Sequence, residues 1–343
     1  MPRNALLLAA IWLVPGMARG WGDDGHKLVL REAIRTLPPA ARRLYENKGR
    51  ELDRLTVEPD HRSQVPAEGC KHWINIEKTE PAYVAALNAA LTAAYGGEGY
   101  ADEDARGVAA GLDTQTFGTL PPPWPATRVG PLWDAFPPTL EAFRRRYGRL
   151  EVFIGSVPYQ PLLYTRALAG AIARADRKRT LAYAAYLAHY TADLHVPVHV
   201  TANYRGQYSA NLLFDDRERG DPHCRFESGY LRTDLAEVIR AVRALRGKPV
   251  IVPAAGITPL VLAAARRAYG LAPVLLETDR AAVKKIDPRR DWDGWVAAVT
   301  PAYRIMAAGQ LAAAADLLSS LLLTAAQGNG LEPPAKSGTM DGK

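Results

Sequence analysis

The chain has 343 residues, 48% of them hydrophobic and 23% charged, which supplies apolar material for one large core or two ordinary ones and excludes a disordered chain. The formal net charge of +7 favours anionic partners, nucleic acid and acidic lipid surfaces alike, without choosing between them. Two cysteines, Cys70 and Cys224, allow one disulfide and exclude a disulfide-built scaffold.

The opening MPRNALLLAAIWLVPGMARG has a basic residue at Arg3, an apolar run from Ala5 to Val14 and small residues at Ala18 and Gly20. This is the pattern of an export leader cleaved after Gly20; the run is shorter than the roughly 20 apolar residues that span a bilayer. The reading places the protein in a secreted or periplasmic space and makes Trp21 the first residue of the processed chain. Helical periodicity follows. Leu28, Leu30, Ala33 and Ile34 share a face within 26–37, and similar spacing predicts helices over 82–94, 139–147, 162–175, 179–194, 230–245, 259–269 and 292–325, the last broken at Pro301. Strand alternation is absent. The expected class is all-α: one large domain of antiparallel helices over 21–327, packed around a candidate metal site.

The apolar stretch 301–325 contains Arg304, Gln310 and Asp316 and reads as a buried closing helix rather than a membrane span. Residues 96–128, with Pro121, Pro122, Pro123 and Pro125, are predicted as loop. So is 201–220, a polar connection that would form the rim of a cleft; its plainer alternative is a solvated linker. Residues 328–343 read as a disordered tail.

All seven histidines fall in three short stretches, 21–26, 60–72 and 189–223. The densest, His189 to His199, holds His189 and Asp193 four apart, and the later His223 and Glu227 repeat that spacing. Residues four apart share a helix face, so each pair can grip one ion without backbone strain. Neutral imidazole and carboxylate are ligands for zinc, iron or manganese. Pro197 ends or kinks the helix and turns His199 off the face of His189 and Asp193. Asp221 and Pro222 predict a capped first turn carrying His223. A single His-x-x-x-Asp pair is a common helix-surface contact; the combined group of His189, Asp193, Pro197, His199, His223 and Glu227 is far more specific. Cys70 lies two residues before His72 and Cys224 directly after His223, so a bridge would tie two ligand segments, with free buried thiols and thiolate ligands as open alternatives.

In its ordered set of Trp21, His26, Asp60, His72, His189, Asp193, Pro197, His199, His223 and Glu227, the chain resembles the superfamily of zinc-dependent phospholipases C and single-strand-specific zinc nucleases. The resemblance spans roughly 21–323 and is carried by these segments and the closing helix. It implies an all-helical fold with three zinc ions. Asp60, His72, His189 and Asp193 would bind one; His199, His223 and Glu227 a second; Trp21, through its free amine and carbonyl, would join His26 and a bridging Asp193 on the third. The 117-residue interval from His72 to His189 is longer than such proteins usually have and implies an insertion around 96–150, a candidate location for substrate specificity.

The implied reaction is phosphodiester hydrolysis by a zinc-held hydroxide attacking phosphorus, with Asp60 as general base or hydroxide orienter. Arg62, Asn75 and Asn203 are candidate substrate contacts; Trp73 and Tyr204 are aromatic positions for stacking a base, more simply read as core. His61 and His195 are left outside the ligand set, and Asp23 and Asp24 are further acidic candidates. The terminal Glu227 resembles the phospholipase branch, whereas the five-residue offset from Trp21 to His26 resembles the nucleases. The expected substrate is therefore a phospholipid or, alternatively, single-stranded nucleic acid or a 3'-nucleotide. The protein is expected to act as a monomer. A non-catalytic exported zinc-binding module predicts the same ligands without turnover.

Overall fold

The computed structural model describes residues 21–96, 102–208, 220–328 and 331; the expected leader, nearly all of the expected tail and the middle of the 201–220 connection lie outside them. The described residues are helical with no strand, the expected all-α class. At the centre lies the helix Arg177–Asp193. Asp176 caps it by accepting from the Arg179 amide at 3.0 Å, the role short carboxylates fill at helix starts. Its last two turns, from Leu187 to Asp193, are buried on every side, as expected of a helix with neighbours all round. Alanines 184, 185, 188 and 192 admit those neighbours closely. They are Gln160–Ala173, Gly49–Thr56, Gly22–Thr36 and the closing helix Trp292–Gln327.

Two sequence expectations are corrected. The closing helix runs unbroken through Pro301. Proline there removes a helical hydrogen bond and crowds the previous turn, but it lies exposed while Trp295, Val299 and Tyr303 bury the opposite side, and that packing outweighs the local penalty. The segment 96–128 is not a loop: it contains the helix Asp102–Thr119 and the start of Ala126–Asp134. Glycines 107, 111 and 118 hide the pattern by lowering helix propensity, while burial of Ala105, Ala109 and Phe117 supplies the compensation. Phe117 stacks near Tyr83 and tilts against Trp124 and Tyr208.

Two helices, Ala254–Val283 and Trp292–Gln327, are long and apolar enough to cross a membrane; 72% of the apolar window in the second is buried inside the protein, in keeping with a core helix. Cys70 and Cys224 are unbridged, which removes the disulfide alternative. Burial pushes the Cys70 thiol up to about 12 and the Cys224 thiol up as well.

The turn after Ile154 presses on the segment that carries His72. Ser156 donates to the Cys70 carbonyl at 2.7 Å, and Asn75 to that of Ile154 at 2.6 Å. Gly155 makes this approach possible: its φ is +90°, and a Cβ there would lie 2.1 Å from the Trp73 carbonyl oxygen. Gly155→Ala is expected to destabilise the protein by about 1–3 kcal/mol or more, the cost of a strained backbone site, read as a lowered urea midpoint; an unchanged midpoint would refute this packing.

Candidate metal centre

Eight candidate ligand side chains arrive from separate segments. His26 comes from Gly22–Thr36, Asp60 from the short helix Glu58–Arg62, and His72 from the turn after Pro66–Gly69. His189 and Asp193 occupy the last turn of the central helix. The helix stops there, and the 3-10 turn Pro197–Val200 delivers His199. The backbone breaks as Pro197 predicts, yet His199 returns to the site: its Nδ1 lies 3.6 Å from Asp193 Oδ1. Asp221 caps the turn Pro222–Cys224 by accepting from the Cys224 amide at 2.9 Å, placing His223 there and Glu227 in the π-helical stretch Arg225–Tyr230.

All eight are buried and fall, among the described residues, into three sets, the first two sharing His189: His26, Asp60 and His189; His72, His189 and Asp193; His199, His223 and Glu227. Asp193 addresses both sides. Its Oδ2 lies 3.0 Å from His72 Nδ1 and 3.3 Å from His189 Nε2, while its Oδ1 lies 3.5 Å from His26 Nε2. Asp60 Oδ1 is 3.6 Å from both His72 and His189, and Oδ2 is 3.9 Å from His26. In the remaining set, Glu227 Oε1 is 2.7 Å from His223 Nε2 and 3.3 Å from His199 Nε2.

The donor chemistry fits a divalent cation. Ligand atoms each about 2.0–2.2 Å from a tetrahedral zinc stand roughly 3.3–3.6 Å apart, close to the separations just given. His189 Nδ1 donates to the Thr56 carbonyl at 2.8 Å and His199 Nδ1 to that of His72 at 2.8 Å. Such bonds fix the tautomer and leave Nε2 of each neutral ring as a lone pair. Those lone pairs face other imidazole nitrogens, His199 to His223 at 2.8 Å and His189 to His72 at 3.0 Å. Two facing nitrogens beside a carboxylate call for a shared proton or a cation. Both nitrogens of His26 and Oδ1 of Asp193 are buried without a hydrogen bond among the described residues.

Burial pulls His26, His72 and His199 below the ordinary imidazole range and so keeps them neutral. Burial acts the same way on His189, but the Asp193 and Asp60 carboxylates outweigh it and hold that ring up to about 9. Burial would raise Asp193; His189 and its neighbours overcome this and hold it well below the usual carboxylate range. Glu227, with less compensation, is pushed by burial up to about 8. A proton on His189 and a bound cation are competing ways to neutralise the same carboxylates.

The other sequence candidates lie outside these three sets. Trp21 is buried, tilts on Phe226 with ring centroids 5.2 Å apart and donates from its indole to the Ala192 carbonyl at 3.0 Å, one residue from Asp193. Its own carbonyl accepts from the Gly25 amide at 3.2 Å. Asn75 donates to the Phe153 carbonyl at 2.9 Å, and Asn203 to that of Pro122 at 2.7 Å, so both amides fasten backbone segments near the site. Arg62 lies over the Tyr186 ring and 3.7 Å from Glu68. His61 is exposed. His195 is buried with Nδ1 2.8 Å from the Thr191 carbonyl. Asp23 pairs with Lys27, and Asp24 lines a surface cavity of about 460 Å³ between Gly22–Thr36, Gly49–Thr56 and Leu231–Leu245, away from the cluster. Trp73 packs against Gly155. Tyr204 sets its ring edge-on to His223, centroids 6.0 Å apart. Neither cysteine belongs to the three sets.

Two kinds of participant left no readable pattern. The carbonyls of Thr56 and His72 orient imidazoles 133 and 127 positions away, and any residue type has a carbonyl. Arg225, between two ligands in sequence, forms a fully buried ion pair with Asp279, a partner that no local spacing reveals. The chain matches no protein-family model, no curated protein and no solved structure.

Asp193→Ala is expected to remove more than one equivalent of bound zinc per chain, because its two oxygens face different imidazoles, Oδ2 toward His72 and His189 and Oδ1 toward His26, whereas His195→Ala keeps the wild-type content. Elemental mass spectrometry on purified, folded variants reads both; equal content in Asp193→Ala and wild type would contradict the bridging role.

Proposed function

We propose that this chain is a divalent-metal-dependent phosphodiester hydrolase of the phospholipase C type, built like the zinc phospholipases and single-strand nucleases that its ligand order resembles. The observation that carries the reading is the Asp193 carboxylate, whose Oδ2 faces His72 and His189 and whose Oδ1 faces His26 and His199, all buried. A structural zinc site is closed around one ion with four ligands; shared carboxylates and overlapping ligand sets are the architecture of multinuclear hydrolytic sites. In this reading zinc is held by Asp60, His72, His189 and Asp193, by His199, His223 and Glu227, and by His26 with Asp193. Removal of an export leader gives Trp21 a free amine for the last set.

When bound, the ions supply Lewis acidity, which acidifies water and offsets the charge of the phosphate. The protein's own residues do the rest. His199 and His223 have 4% and 2% of their side chains exposed, against none for His26, His189, Asp60, Asp193 and Glu227. In this reading substrate would approach on the His199 and His223 side, beside Tyr204. Asp60 faces two of the sets and serves as the proton acceptor for the attacking water. Thr56 and the His72 carbonyl hold the imidazoles in ligating orientation throughout.

Glu227 at the last ligand position supports a phospholipid substrate. The edge of Tyr204 beside His223 supports the second reading, single-stranded nucleic acid, because aromatic rings stack bases without regard to sequence. The deciding experiment offers the zinc-loaded protein phosphatidylcholine and single-stranded DNA side by side, with and without a chelator. The expected result is chelator-sensitive release of phosphocholine; preferential cleavage of DNA supports the nuclease reading. Stoichiometric zinc with no turnover of either ester identifies a non-catalytic binding module. Asp60→Asn, where it retains zinc, is expected to lower kcat by about 10²–10⁴-fold, the usual contribution of a general base.

A further inference from the structure

The segment from Asp221 to Tyr230 contributes His223 and Glu227, and between them it buries an arginine completely. Arg225 Nε donates to Asp279 Oδ1 at 2.8 Å and its Nη2 donates to Oδ2, a two-pronged fork onto the helix Ala254–Val283. Both side chains have no exposed surface, and the Trp295 ring lies 5.9 Å from the guanidinium carbon. Desolvating such a pair offsets most of its Coulomb attraction, so apolar side chains of similar volume are often as stable or more so. What a planar fork supplies that apolar packing does not is a fixed direction.

Direction matters here because Arg225–Tyr230 is π-helical. A π turn is rare and occurs mainly as a local distortion at functional sites. It carries more residues per turn than an α-helix, so relaxation to an α turn, while keeping residues four apart on one face, would turn Glu227 relative to His199. The observed turn keeps Glu227 Oε1 at 2.7 Å from His223 Nε2 and 3.3 Å from His199 Nε2. The other end of the segment is held separately: Asp221 caps the Cys224 amide and accepts from Arg205 Nε at 2.8 Å.

We propose that Arg225 and Asp279 are positioning residues, whose buried ion pair pins the π turn to Ala254–Val283 and so aligns His223 and Glu227 on His199 as one metal-binding set. The inference rests on the metal reading of the site. It also explains how a fixed positive charge is tolerated two residues from each ligand: Asp279 cancels it, and without Asp279 the guanidinium would oppose a cation in that set.

The test compares wild type, Asp279→Asn and the double variant Arg225→Met/Asp279→Leu, which removes both charges and guards against a fold lost to an unpaired one. Each is made in a Cys70→Ala background, so that Cys224, directly before the pinned turn, is the one reactive thiol. Two quantities are read: zinc per chain, and the rate of Cys224 labelling in the chelated protein. Expected in both variants are loss of one equivalent of zinc with the rest retained, and labelling faster by about tenfold or more as the turn opens locally. Arg225→Lys, which keeps the charge without the fork, is expected to fall between. Full zinc together with wild-type labelling in both variants overturns the proposal. Wild type without zinc would sink the metal reading instead, and the labelling rates would still decide whether the pair pins the turn.

Discussion

Three carboxylates, Asp60, Asp193 and Glu227, are buried with five imidazoles in the interior of a helical protein, and the surrounding structure compensates them. An isolated carboxylate in such surroundings would simply take up a proton. The position of Asp193 sharpens the problem, because it ends a helix, where the unsatisfied carbonyls carry partial negative charge. Helix end and carboxylates together create a region of negative potential, and the nearby Arg225 is committed to Asp279. Imidazoles fill the gap because they ligate when neutral and can carry a proton beside a carboxylate; Asp193 and Asp60 raise His189 in that sense against the pull of burial.

Compensation of this kind works only if the donors cannot drift, and a second tier of contacts holds them. The Thr56 and His72 carbonyls take the rear nitrogens of His189 and His199. Glu77, buried and held above the ordinary carboxylate range by burial, gathers the Thr201 hydroxyl, the Ala202 amide and the Tyr269 hydroxyl, which fixes the chain just past His199. The segment implied as an insertion reaches the same place. The Pro122 carbonyl accepts from Asn203, Phe117 meets Tyr208, and the Tyr269 hydroxyl accepts from the Trp124 amide. This segment thus braces the stretch around Tyr204, which follows His199.

How much of this was legible follows from where each signal resides. His189 with Asp193, and His223 with Glu227, were readable because a helix converts a spacing of four into contact. The cap at Asp221 and the stop at Pro197 were readable because their effects are local. His26, Asp60 and His72 had no local signature and entered through the order of motifs alone; their convergence is a product of tertiary packing. The helix Asp102–Thr119 escaped detection because three glycines mask a pattern that burial of Phe117 restores, and the continuity across Pro301 because Trp295, Val299 and Tyr303 outweigh a local penalty. Backbone acceptors and the Arg225 to Asp279 pair lie beyond any reading of spacing.

The distribution of polar groups also bears on what the site is for. A protein stabilised for its own sake would fill this volume with leucine and valine, since buried ionisable clusters contribute little net stability and become costly when any member lacks a partner. Here eight ionisable side chains are drawn from segments as distant as His26 and Glu227, and their supporting shell is built largely from backbone carbonyls, whose positions the helices set. The arrangement spends core volume on donor atoms that face one another rather than pairing off as donors with acceptors. Such convergence suits a positive charge in the space between the donors, and the Asp193 carboxylate lies at its middle, Oδ2 toward His72 and His189 and Oδ1 toward His26.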